Sequence, residues 1–238
     1  LEQIARLGFS CPVELVNDGV NGLLAGTSHG IGVSLTAGSG VNCRGLGPDG
    51  RQGRIVGNGA AFGEFGGGGE IVARGLQMVN HAWIKRIPPT ALTKIYLETA
   101  GARDEMDLME GLSNGQYHLL PFIAPQIFAA ARDGDDAAIA LVRFSGEELG
   151  WLAVSVIRQI GMEDQEVEVV KSGSIFLGGD LVCPPMEEIL LAHVPHARLI
   201  QLECLPVVGP VVLGMQAGGR DGYTLRPEIV KSLGDMLH

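Results

Sequence analysis

The chain has 238 residues, 46% of them hydrophobic and 18% charged, with a formal net charge of −10. That length is one large domain or two small ones, and the apolar share excludes a disordered polymer. The acidic balance leaves no electrostatic footprint for nucleic acid or an anionic membrane. Aromatics are only 5%, so the core is aliphatic. The 36 glycines are about twice the usual share and point to tight turns and close backbone approach to a ligand. The longest apolar run, residues 205–215, is interrupted by Pro206 and Pro210 and is too short for a membrane span. Cys11, Cys43, Cys183 and Cys204 form no CxxC pair, which suits a reducing cytoplasm rather than a zinc or disulfide framework. The opening Leu1-Glu2-Gln3-Ile4 is neither a signal peptide nor an initiator methionine, so an excerpt of a longer chain is expected.

In chain order, the first residues read as the end of a helix and residues 12–17 as a strand ending at Asp18. Residues 19–26 read as a short helix with Asn17 or Asp18 at its N-cap. Residues 31–36 and 41–46 are strands joined by Ala37-Gly38-Ser39-Gly40, and Pro48-Asp49-Gly50 is a turn leading to a third strand at 54–57. After a glycine cluster at 57–69, an apolar stripe (Ile71, Leu76, Met78, Val79, Ile84) predicts a helix ending before Pro88-Pro89. Helices follow at 91–100, 119–132 and, most clearly, 136–160, where Trp151 is expected in the core. Strands are expected at 166–171, 174–177 and 197–203, and helices at 184–191 and 209–217. Strands, then helices, then alternating strands and helices make an α/β domain with a helical insertion.

One spacing carries chemistry. A strand ending in Asp18 and a second ending in Gly38-Ser39-Gly40 set a carboxylate beside a turn whose backbone N–H groups and Ser39 hydroxyl can cradle a phosphate. An acceptor carboxylate next to a phosphate cradle is what phosphorylation of a hydroxyl needs. The same residues also fit a helix N-cap and an ordinary hairpin turn. Cys43 reads as a small packing residue, Arg143 and Lys171 as solvated surface, and the six histidines show no ligand spacing.

Val16-Asn17-Asp18-Gly19, followed by Leu35-Thr36-Ala37-Gly38-Ser39-Gly40-Val41-Asn42-Cys43, resembles the N-acetylglucosamine kinase and BadF/BadG-type ATPase group of the sugar kinase, Hsp70 and actin superfamily. The glycine-rich segment 59–67, with Glu64 where the family has Asp, is similar to its sugar-side segment. Ser174-Ile175-Phe176-Leu177-Gly178-Gly179 resembles its adenosine motif, and residues 209–217 resemble its closing helix. The resemblance runs from about residue 12 to 218. Ser39 stands for the family's Thr, Val41 for Ser, and Glu64-Phe65 for Asp-Glu. The family's other phosphate loop, Asp-Gly-Gly-Gly-Thr, is absent and is expected before Leu1.

The resemblance implies a ribonuclease H-like lobe of the actin-like ATPase fold. Residues 1–27 would close an N-terminal lobe, residues 28–218 would form the C-terminal lobe with a helical insertion at about 68–162, and residues 219–238 a tail helix. It implies a cytoplasmic, ATP- and Mg²⁺-dependent kinase of a sugar hydroxyl, an amino sugar such as N-acetylglucosamine giving the 6-phosphate. Asp18 would be the base and would hold Mg²⁺ through water. Gly38, Ser39, Gly40, Gly178 and Gly179 would bind the nucleotide, and Asn42, Asn58 and Glu64 the sugar. The small-residue helix and sheet edges are compatible with a homodimer. Two alternatives stand beside this reading: a BadF-type ATPase activating a partner enzyme through a shared iron–sulfur cluster, and a degenerate kinase acting as a sugar or nucleotide sensor.

Overall fold

The computed structural model describes residues 15–236, together with Arg6, Gly8 and Val13. The helix end expected in the first residues therefore lies outside the described residues, as do positions 12 and 14 of the first expected strand. Val13 and residues 15–17 carry no strand pairing. Asn17 instead has extended backbone and caps a helix, α1 (Asp18–Gly26), its side chain accepting from the Gly19 N–H.

Five strands form one sheet in the order β3-β2-β1-β4-β5. They are β1 (Gly32–Ala37), β2 (Val41–Leu46), β3 (Gln52–Arg54), β4 (Val167–Ser172) and β5 (Ala197–Gln201). β1, β2 and β3 run antiparallel, with Ala37 paired to Val41 across the turn, whereas β4 and β5 are parallel to β1. The parallel half is consistent with long helical crossovers and the antiparallel half with tight turns. β3 starts two residues earlier than expected and ends at Arg54, although the Ile55 N–H still reaches the Cys43 carbonyl.

The helices are α2 (Gly68–Trp83), α3 (Ala91–Ala100), α4 (Glu105–Ser113), α5 (Ala124–Arg132), α6 (Asp136–Gln159), α7 (Cys183–His193), α8 (Val208–Ala217) and α9 (Gly222–Met236). α4 escaped the sequence reading because Leu108 and Gly111 are its only buried residues, too few for a visible stripe. α6 lies on one face of the sheet. A Cβ on Gly45 would stand 2.7 Å from Val156, and one on Gly53 2.9 Å from the Val156 carbonyl, so these glycines let the helix settle on β2 and β3. α1 covers the other face: a Cβ on Gly22 would meet Ser34 of β1 and one on Gly26 would meet Val170 of β4. The main core is aliphatic, as expected, and runs from Val33 and Leu35 through Leu149 and Val156 to Leu190. A second cluster of Ala25, Val208, Val212 and Ile229 joins α1, α8 and α9.

Three further expectations change. Residues 174–177 are not a strand but part of a 3₁₀ run, Ser174–Leu181. The cause is Gly173, at φ 106°, which turns the chain so tightly across β1 that a Cβ would stand 2.2 Å from the Ala37 carbonyl oxygen. Trp151 is 38% exposed rather than core, its ring tilted against His193 at 4.4 Å. Lys171 is not solvated surface: its side chain is 14% exposed and its Nζ donates to Cys183 Sγ at 3.4 Å.

Candidate active site

Asp18 opens α1 with its side chain at the surface. Its Oδ1 accepts from the Gly19 N–H at 2.9 Å and from Asn42 Nδ2 at 3.1 Å. The same Asn42 amide donates to Asn17 Oδ1, also at 3.1 Å. Asn42 thus holds the cap residue and the carboxylate together. It lies on β2, two residues past the Gly38-Ser39-Gly40 turn, so one amide ties the start of α1 to the hairpin carrying that turn. Gly19 makes the approach feasible, since a Cβ there would stand 2.7 Å from Arg44 Cγ and 3.0 Å from Asn42 Nδ2. The N-cap and the candidate base are therefore two neighbouring residues: Asn17 caps, and Asp18 stands beside it.

The turn is clasped from behind. The Gly68 N–H donates to the Gly38 carbonyl at 2.8 Å and the Gly69 N–H to the Ser39 carbonyl at 2.7 Å. These are the first N–H groups of α2, which a helix cannot satisfy internally. Gly67 is needed for this contact, because a Cβ on it would lie 2.4 Å from the Gly40 carbonyl carbon. The Gly38 N–H is taken by the Gly40 carbonyl at 2.9 Å, leaving the Ser39 and Gly40 N–H groups and the Ser39 hydroxyl as what the turn can offer an anion. A Cβ on Gly38 or Gly40 would meet nothing within 4 Å. The glycines leave the turn open on its outer side.

That side opens into a cavity of about 460 Å³. Gly38, Ser39 and Gly68 form one end, and Ser174, Ile175, Leu177 and Gly178 another wall. Pro121, Phe122, Pro125 and Arg132 complete it from α5 and the turn before it. Gly178 packs so closely under Phe128 that a Cβ would come within 2.4 Å of its ring. Gly179 marks a kink at φ 58°, ψ −117°, and does not line the cavity. Leu177 is 82% exposed and Phe122 60%, apolar side chains left at the rim. The size suits a nucleotide-sized ligand. Phe122 and Arg132 were not singled out in the sequence, where they fall in a helix start and end without a distinguishing motif.

Glu64 is 6% exposed. Its carboxylate accepts the backbone N–H groups of Val56 (2.5 Å), Gly57 (2.8 Å) and Asn58 (3.0 Å). It is the collar of the glycine-rich loop, and Asn58, exposed, sits at the start of that loop's 3₁₀ turn, Gly59–Phe62. Asp18, Asn42 and the turn therefore form one group, Gly178 and Ser39 share one cavity, and Glu64 with Asn58 forms a separate loop. Cys43 is fully buried beneath Leu152, and burial pushes its thiol far up, as befits a packing residue.

No known protein-family profile matches the chain. An N-acetyl-D-glucosamine kinase from Dictyostelium discoideum is 25% identical over 220 residues, 89% of this chain and 68% of that protein. The chain is similar to that kinase along most of its length. Among solved structures, a candidate N-acetylglucosamine kinase from Chromobacterium violaceum superposes with a TM-score of 0.64 at 24% identity, covering 88% of this chain and 70% of that one. A transcriptional regulator of the ROK family, described as a homologue of the E. coli MLC protein, superposes with a TM-score of 0.56 at 17% identity, over 93% of this chain and 56% of that one. The kinship with N-acetylglucosamine kinases and the actin-like ATPase fold expected from the sequence are thereby borne out.

Proposed function

We propose that the protein is an ATP-dependent sugar kinase that phosphorylates a hydroxyl of an amino sugar such as N-acetylglucosamine, giving the 6-phosphate. The observation that carries this reading is the continuity of the turn. Its open face looks into the 460 Å³ cavity, and its strand β2 carries the Asn42 that holds Asp18. In this reading the base, Mg·ATP on Gly38, Ser39 and Gly40 and the adenosine near Gly178 and Gly179 are grouped around one hairpin. Asn42, Asn58 and the loop collared by Glu64 face the sugar. Residues 28–218 then act as the C-terminal lobe, on whose sheet α1 packs although it belongs to the stretch read as the close of another lobe.

Asp18 accepts the proton of the sugar hydroxyl as its oxygen attacks the γ-phosphorus, the bond from that phosphorus to the β–γ bridging oxygen breaks and ADP leaves. Asn42 fixes the carboxylate so that it need not be oriented during the reaction. The Ser39 and Gly40 N–H groups and the Ser39 hydroxyl receive charge that develops on the phosphoryl oxygens. Mg²⁺ would arrive with ATP, and Asp18 would hold it through water. Mg²⁺ neutralises phosphate charge when bound.

The BadF-type alternative requires cysteines that reach a shared cluster. Cys43 is sealed under α6 and Cys183 is engaged with Lys171, which weighs against it. The regulator among the fold neighbours shows that this architecture also occurs in a protein named for transcriptional control. A coupled assay with Mg·ATP and a panel of sugars tests the proposal: turnover with an N-acetylated amino sugar supports it, and nucleotide or sugar binding without turnover would favour the sensor.

A further inference from the structure

Arg74 of α2 takes no part in the chemistry above, yet its surroundings are specific. Its guanidinium carbon lies 3.7 Å from the ring centroid of Phe144 on α6 and 5.7 Å from that of Phe65. The two rings meet edge to face, 5.4 Å apart at 68°. Phe65 directly follows Glu64, the collar of residues 56–58, and Gly66 is pressed onto Leu149 of α6, where a Cβ would stand 2.6 Å from Cδ2. A cation over a partly desolvated ring is held far better than one in water.

We infer that Arg74 is a positioning residue that clamps the glycine-rich loop, through Phe65 and Phe144, in the shape that presents Asn58. The chain of contacts is short. Arg74 and Phe144 fix Phe65, Phe65 fixes the adjoining Glu64 backbone, and the Glu64 carboxylate fixes three successive N–H groups. The loop has few other restraints: Gly57, Gly59 and Gly63 all have positive φ, and among residues 56–62 none is fully buried. Phe65 thus supplies a ring face for the arginine. The part of this inference that concerns catalysis rests on the kinase reading; the part that concerns the loop does not.

Residue-resolved hydrogen exchange and steady-state kinetics on the full chain test it. Arg74→Ala should speed exchange of the Val56, Gly57 and Asn58 amides and raise the KM for N-acetylglucosamine, each by about tenfold, with ATP KM and kcat within about twofold. Arg74→Lys, which keeps a cation, should recover part of both effects. Phe144→Leu, which keeps the packing but removes the ring, should reproduce the loss. Unchanged exchange at 56–58, or exchange that rises equally in α3, would overturn the clamp. A rise of sugar and ATP KM together would overturn its role in sugar binding. If the native protein phosphorylates no sugar, the kinase reading falls and exchange alone decides the clamp.

Discussion

At the scale of single residues, Asp18 is the side chain on which the kinase reading depends. It contributes to no buried core, and its only described partners are the Gly19 N–H and the Asn42 amide. Asp18→Asn should therefore leave the fold and ATP affinity nearly unchanged while lowering kcat by about 10²–10⁴-fold, the usual loss on removing a general base. A coupled assay with calorimetric ATP titration measures both. Near-native turnover would remove the base role, and a large loss of ATP binding would make Asp18 chiefly a metal-water ligand. Two glycines of the turn region separate packing from ligand access in the same way. Gly67→Ala places a Cβ against Gly40 backbone, which cannot yield, whereas Gly38→Ala meets open space at the cavity wall. The first should cost about 1–3 kcal/mol, a drop of roughly 2–12 °C in Tm for a chain this size. The second should leave Tm unchanged but weaken binding of a non-hydrolysable ATP analogue. Equal behaviour of the two variants in calorimetry would contradict the assignment of the open face to phosphate.

At the scale of elements, the junction of α3 and α6 rests on one carboxylate. Asp135 accepts from the Ala138 N–H as the N-cap of α6, and also from the Ala91 N–H and the Thr90 hydroxyl at the start of α3. Burial alone would raise its pKa, but these donors together outweigh burial and hold it below the usual carboxylate range. A depressed folded-state pKa means that the stabilisation is complete above the unfolded value, about 3.9, and is lost as pH falls through the folded one. Asp135→Asn should therefore flatten the acid limb of the stability curve below about pH 4. Asp135→Ala should cost about 1–2 kcal/mol at neutral pH, since two helix starts lose their acceptor. Urea unfolding of the variants between neutral and acidic pH checks both, and an unchanged acid slope in Asp135→Asn would refute the assignment.

At the scale of the whole molecule, the cavity gathers the hairpin turn, the 3₁₀ run after β4 and α5 from three distant stretches of chain. A ligand that bridges them should stabilise all three together. At a concentration of 100 Kd, Mg·AMPPNP should add about 2.7 kcal/mol, a rise of roughly 5–11 °C in Tm. Phe122→Ala, which strips an exposed ring from the rim, should shrink that rise while leaving the Tm without nucleotide nearly unchanged. Thermal unfolding with and without the nucleotide is the measurement, and no shift in the native protein would argue that the cavity is not the nucleotide site.

Much of this was legible in the sequence because the relevant forces are local. The periodic apolar stripe fixed α6 almost to the residue, the helix at 91–100 fell where it was expected, and the glycine turn with its flanking β-branched residues announced the hairpin. The ordered motifs also pointed to the N-acetylglucosamine kinases before any coordinate was known. What the sequence could not decide depends on residues far apart in the chain. Ile175 and Phe176 look like a short strand until Gly173 is seen turning the chain across Ala37. Glu64 stands in a segment that reads as sugar-side, and only the structure shows its carboxylate closing on the amides of residues 56–58. The partnership of Arg74 with Phe65 and Phe144 likewise joins segments up to 79 positions apart. Local propensity determines which elements form; only tertiary packing decides which polar groups are left facing a ligand, because that depends on what each has already been satisfied by.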